Sequence, residues 1–170
     1  MNAAISRPSA IPLFVAQAVG LSAVIAVSAH VSVPFWPVPM TLQTLAVMGI
    51  ATLCGARLGV AAMLAVLVEG AFGLPVFASG GGVATLVGPT AGYLIGMLFA
   101  AGIVGRARSG WGRAGAIVGS TLLIYGLGAA WLAGFVGPSK AVELGVVPFL
   151  IDDAAKGAMV WALGGLRRTA

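Results

Sequence analysis

The chain has 170 residues, 60% of them hydrophobic and 8% charged, with a formal net charge of +5 and a mean hydropathy of +1.09. Soluble domains carry about 25% charged residues, so the composition excludes an ordinary soluble protein and indicates a polytopic membrane protein in one bundle, a single domain over 1–170. The basic excess would suggest nucleic acid in a soluble chain. Here it falls in short connections between apolar runs, where it reports orientation, and no nucleic-acid partner is expected.

Six apolar segments follow one another at 11–29, 41–54, 58–74, 89–105, 114–136 and 146–166. The first, preceded by Arg7, imitates a signal peptide, but it is long for one and five more runs follow, so it reads as a span. It carries a small-residue ladder at Ala18, Ser22 and Ala26, with Ala16 and Gly20 alongside, which admits a close neighbour either within the chain or on another subunit. The connection at 33–39 holds three prolines and is expected to be extended, with Thr41 as the N-cap of the next helix. That second segment is short against the roughly 20 residues a span needs. If it did not cross, Arg57 and the group from Arg106 to Arg113 would change sides, so the positive-inside rule favours six crossings. Arg7, Arg57, Arg106, Arg108, Arg113, Arg167 and Arg168 then lie in the cytoplasm with both termini, and Lys140 lies outside beside Glu143.

Glu69 lies near the outer end of the third segment, and Tyr93 near the outer end of the fourth; each is read either as a ligand contact or as an interface residue. Between them the stretch Ser79-Gly80-Gly81-Gly82 is apolar in context but irregular, as backbone at membrane depth is only where protein or a cavity covers it. Both outer connections therefore look like the entrance or lid of a site. Gln17 and Gln43 read as interhelical hydrogen-bonding residues.

The last segment holds Asp153 and Lys156, which a helix places on one face. Charges near the bilayer centre cost about 2.5–3.5 kcal/mol each and are rarely idle. Two readings remain: an ion pair that fastens helices, or a site for a small solute with donors at one end and an anion at the other. Catalysis finds no support, because His30 is the lone histidine and no nucleophile or metal-ligand spacing surrounds it. No Lys-Ser/Thr follows Gly80–Gly82, so the chain has no P-loop. No enzyme activity and no cofactor are expected; either an energy source lies on another subunit, or the protein is a facilitator that works without an energising module.

Four segments taken together carry a family resemblance. Trp36-Pro37-Val38-Pro39-Met40-Thr41-Leu42-Gln43-Thr44-Leu45, Gly73-Leu74-Pro75-Val76-Phe77-Ala78, Gly88-Pro89-Thr90-Ala91-Gly92-Tyr93-Leu94-Ile95-Gly96, and Pro148-Phe149-Leu150 with Asp153 and Lys156 closely resemble BioY. This is the biotin-specific substrate-binding component (S component) of energy-coupling-factor transporters, and the match runs in order over essentially the whole chain. The resemblance implies an all-α fold of six transmembrane helices in a bacterial inner membrane, in contact with lipid, that captures biotin from outside. Asp153 would meet the ureido group and Lys156 the valerate carboxylate. By position, Ser79, Gly80 and Gly81 would belong to the pocket wall or lid, with Tyr93 and Glu69 near. Ala18, Ser22 and Ala26 would dock the transmembrane T subunit, and a pair of ATPases would supply energy. A homo-oligomer is compatible with the sequence. One departure stands out: the family commonly reads Pro-Gly before its aspartate, where this chain has Ile151-Asp152. Asp152, rotated about 100° from Asp153, is expected on a different face. Two rivals stay open, an S component for another vitamin and a structural membrane adaptor.

Overall fold

A computed structural model describes residues 10–107 and 110–166. Arg7, Arg108, Arg167 and Arg168, and with them the placement of both termini, lie outside the described residues. Six long helices form the body: α1 (Ala10–His30), α2 (Gln43–Cys54), α3 (Ala56–Ala71), α5 (Ala91–Arg106), α6 (Trp111–Val136) and α8 (Leu150–Leu166). Each corresponds to one of the six apolar segments. Among the described residues, α1 and α6 are the two helices long and apolar enough to cross a membrane unaided, while α2 and α5 are shorter apolar helices.

The shortness of α2 has a packing reason. At 1.5 Å per residue it is about 18 Å long, and it touches α1, α3, α5 and α8. Its run from Val47 to Thr52 is buried, so protein rather than lipid satisfies its surroundings. α5 is the other inner helix, against α2, α3 and α6. Gly92 and Gly96 face the backbone of Leu127 and Ile124, where a side chain would collide, and this lets α5 and α6 approach closely. Ile25, Met48, Met63, Val66, Val104, Leu132 and Val160 fill the interior. Outside, Leu13, Val19, Val27, Phe99, Val118, Leu122 and Trp161 are exposed. Large apolar side chains spread over the surface, as here, suit a hydrocarbon solvent.

The connections at the site end hold more structure than the sequence suggested. The proline-rich link is a small hairpin, β1 (Ser32–Val33) paired antiparallel with β2 (Met40–Thr41), Ser32 opposite Thr41. The α2 N-cap is Leu42 rather than Thr41, although the Gln43 N–H still donates to Thr41 Oγ1 at 3.2 Å. The link after α3 contains a single turn, α4 (Val83–Leu86). After α6, Gly137 leads into α7 (Pro138–Gly145), with proline in its first turn where the missing N–H has no partner to lose. A 3-10 turn, Val147–Phe149, then delivers α8.

Candidate functional site

Asp153 and Lys156 lie one turn into α8, and the bundle closes over both. Asp153 is 6% exposed and Lys156 3%. The ammonium has three donors and uses all of them. Nζ reaches the Thr41 carbonyl oxygen at 2.7 Å, Asp153 Oδ1 at 3.3 Å, and Asp152 Oδ2 in a direct ion pair. The remaining carboxylate oxygen of Asp153 accepts from the Tyr125 hydroxyl of α6 at 2.8 Å. Three parts of the fold thus converge: the hairpin through Thr41, α6 through Tyr125, and α8 through its acids and its lysine.

Asp152 corrects the sequence reading. It was expected on another face, yet it lies at i and i+4 to Lys156, a spacing that also shares a helix face. Its side chain is 36% exposed, against 7% for Asp153. Asp153 is therefore the buried acid and Asp152 the peripheral one.

Two adjoining cavities, each of about 40 Å³, share the walls Val38, Pro39, Thr41, Tyr93 and Met97. The first is completed by Thr44, Tyr125, Phe149, Asp153 and Lys156, among others. The second holds Gln43, Phe77, Ser79 and Thr90. Tyr93 stands between them. Its hydroxyl donates to the Gly145 carbonyl oxygen at 2.8 Å, and its ring packs 6.5 Å from that of Phe149. Gly128 and Gly145 leave the room its ring and hydroxyl occupy; an added methyl at either would collide.

Of the residues singled out beforehand, Asp153, Lys156, Tyr93 and Ser79 come to these cavities. Gly80 and Gly81 do not line them. Gly80 instead exchanges two 2.9 Å hydrogen bonds with Phe77, and Gly81 packs on the Leu74 carbonyl, so both shape the loop that carries Ser79. Glu69 lines neither cavity; it accepts a 2.7 Å hydrogen bond from Ser22 of α1. That contact also places the small-residue ladder. Ser22 and Ala18 are buried and Ala26 packs partly against the core, so this stripe faces its own chain. Gln17 does not enter the site.

Sequence reasoning missed Tyr125, the Thr41 carbonyl, and the position of Gln43. Tyr125 gave no signal, because one tyrosine in a long apolar run has no local pattern; only its crossing with α8 gives it a partner. A larger hollow of about 580 Å³ is an open groove between α6 and α8, lined mostly by apolar side chains such as Trp111, Val118, Leu122 and Trp161, and it touches the polar cluster only at Tyr125 and Asp153. Its apolar walls suit lipid rather than a polar solute.

Comparison with known proteins follows the same line. A profile for the BioY family matches residues 5–169. The chain is 42% identical over 137 residues to a probable biotin transporter BioY of Pyrococcus horikoshii, spanning 80% of this chain and 84% of that one. It is 39% identical over 153 residues to a biotin transporter BioY of Thermotoga maritima, spanning 86% and 89%. Among solved structures, the crystal structure of an S-component for biotin from an ECF-type ABC transporter superposes with a TM-score of 0.77. That superposition has 23% identity and covers 96% of this chain and 95% of that one, which shows a shared membrane-protein fold.

Proposed function

The chain belongs to the BioY family, and from that membership we propose that it takes up biotin as the high-affinity substrate-binding component of an energy-coupling-factor transporter. The observation that carries this reading is the buried cluster on α8: a carboxylate and an ammonium closed off together beneath the hairpin, beside the cavity that Ser79 lines. Biotin offers complementary groups. Its ureido ring has two N–H donors for Asp153, and its valerate chain ends in a carboxylate for Lys156, a charge-assisted contact. The tyrosines have different tasks. Tyr125 holds Asp153 from behind, and Tyr93 walls the chamber with its own hydroxyl already bonded.

Ligand sites usually enclose about 300–1,000 Å³, far more than the two cavities hold. Binding therefore requires the hairpin and the Ser79 loop to move apart, and Lys156 to release at least one of its three acceptors. The chain lies in a bacterial inner membrane, crosses it six times, and opens its site to the outside. A T subunit and an ATPase pair drive uptake, since no nucleotide-binding motif is present here. The adaptor alternative is disfavoured by the geometry: a pair that merely fastened helices needs no cavity beside it.

The test compares biotin with its methyl ester on the purified wild-type protein. Tight binding of the acid and binding of the ester weaker by about tenfold or more are expected, as loss of a charged hydrogen bond costs about 1.5–3 kcal/mol. Equal binding of both would remove the carboxylate role of Lys156.

A further inference from the structure

Gln43 opens α2 and is 4% exposed. Its amide nitrogen has no hydrogen-bond partner among the described residues, although it is fully buried. Buried donors are almost always paired, so an orphan needs a reason. The residue lines the second cavity, together with the hydroxyl-bearing Ser79 and Thr90. That cavity adjoins the one holding Asp153 and Lys156 across shared walls.

The assignment under Proposed function, on which this inference rests, leaves one polar group of biotin without a protein partner. The ureido N–H groups go to Asp153 and the carboxylate to Lys156, but the ureido carbonyl oxygen is an acceptor with no donor. Asp153 cannot serve it, because an ionised carboxylate only accepts. Lys156 is committed to the carboxylate. We propose that Gln43 is a specificity-determining residue of the site and donates from Nε2 to the ureido oxygen, with the ring spanning the two cavities. An orphan donor on the protein then meets an orphan acceptor on the ligand. Such a contact discriminates strongly, since a ligand lacking the oxygen leaves the amide buried and unpaired.

Gln43→Leu keeps much of the side-chain size and removes the donor. Binding is measured for biotin, for thiobiotin, in which sulfur replaces the ureido oxygen, and for iminobiotin, in which nitrogen does. The wild type is expected to favour biotin over thiobiotin by about tenfold, and Gln43→Leu to bring the two within about twofold of one another. Gln43→Glu turns the donor into an acceptor and is expected to shift preference toward protonated iminobiotin. Ligand-free Gln43→Leu should melt no lower than the wild type, because it deletes an unpaired buried group. A lower melting temperature, an equal loss for all three ligands, or unchanged preference in Gln43→Leu would overturn the assignment. Failure of the wild type to bind biotin would instead overturn the biotin reading itself.

Discussion

Lys156 is the residue on which the site turns. Its ammonium is surrounded by two carboxylates and a carbonyl oxygen, so the cluster is one charge short of neutral before any anionic ligand arrives. A ligand carboxylate must displace an acceptor. Thr41 offers backbone, and Asp153 is buried and held by Tyr125, so the half-exposed Asp152 is the group that gives way. A partly exposed ion pair contributes at most about 1 kcal/mol. Asp152→Asn is therefore expected to tighten biotin binding by up to about fivefold while leaving the methyl ester unaffected. Calorimetric titration of both ligands checks this, and weaker binding of both would make Asp152 a ligand contact instead. The Asp153–Lys156 pair was legible in the sequence because charge is rare in an apolar run and their spacing implies a shared face. Asp152 was misread because the i, i+3 relation was weighed and its own i, i+4 relation to Lys156 was not. Tyr125 and the orphaned state of Gln43 were invisible, since both depend on what lies across a helix crossing.

At the scale of elements, hydrophobic runs located all six long helices, and the ends shifted by a few residues. The missing pieces were short. α7 hid behind Gly137-Pro138, a pair that reads as a chain break, although proline fits the first turn of a helix. The hairpin hid because its strands are two residues each. α1 shows how a correct pattern can carry two meanings. The ladder of Ala18, Ser22 and Ala26 was read as a stripe for close approach, and it meets α3 through the Ser22–Glu69 hydrogen bond. The exposed flank is the one bearing Gly20, where an added methyl meets open space. Ser22→Leu should impair biotin binding and lower the melting temperature, as it overpacks a buried position by about 1–3 kcal/mol and strips Glu69 of its donor. Gly20→Trp should spare biotin binding and, if the flank docks the T subunit, abolish uptake driven by the ATPases. Binding and uptake assays on the same two variants separate the roles; a binding loss confined to Gly20→Trp would reverse them.

For the whole molecule, the arrangement is polarised. Arg57 begins α3, Arg106 ends α5 and Arg113 lies in the first turn of α6, so these three share one end of the bundle. The hairpin, the Ser79 loop and the first turn of α8 share the other. In the proposed orientation, which puts the basic end in the cytoplasm by the positive-inside rule, the site end faces outward. Cys54 is exposed beside Arg57, so single cysteines are best introduced in a Cys54→Ser background. An impermeant thiol reagent added to intact cells should label a cysteine at Lys140 and fail to label one at Arg57. The opposite pattern would invert the topology. Burial sets the energetic limits on the site. Removing one partner of a buried ion pair costs about 3–5 kcal/mol when the other is left alone. Here Asp152 remains beside Lys156 after loss of Asp153, so the folded state should survive that change.

The most direct measurement is therefore equilibrium binding of radiolabelled biotin to purified wild type, Asp153→Asn and Lys156→Ala, each with its melting temperature. Saturable binding of one biotin per wild-type chain is expected, weakened by about tenfold or more in both variants while each still melts cooperatively. Absence of binding in the wild type, or undiminished binding in both folded variants, would contradict a biotin site built on this pair.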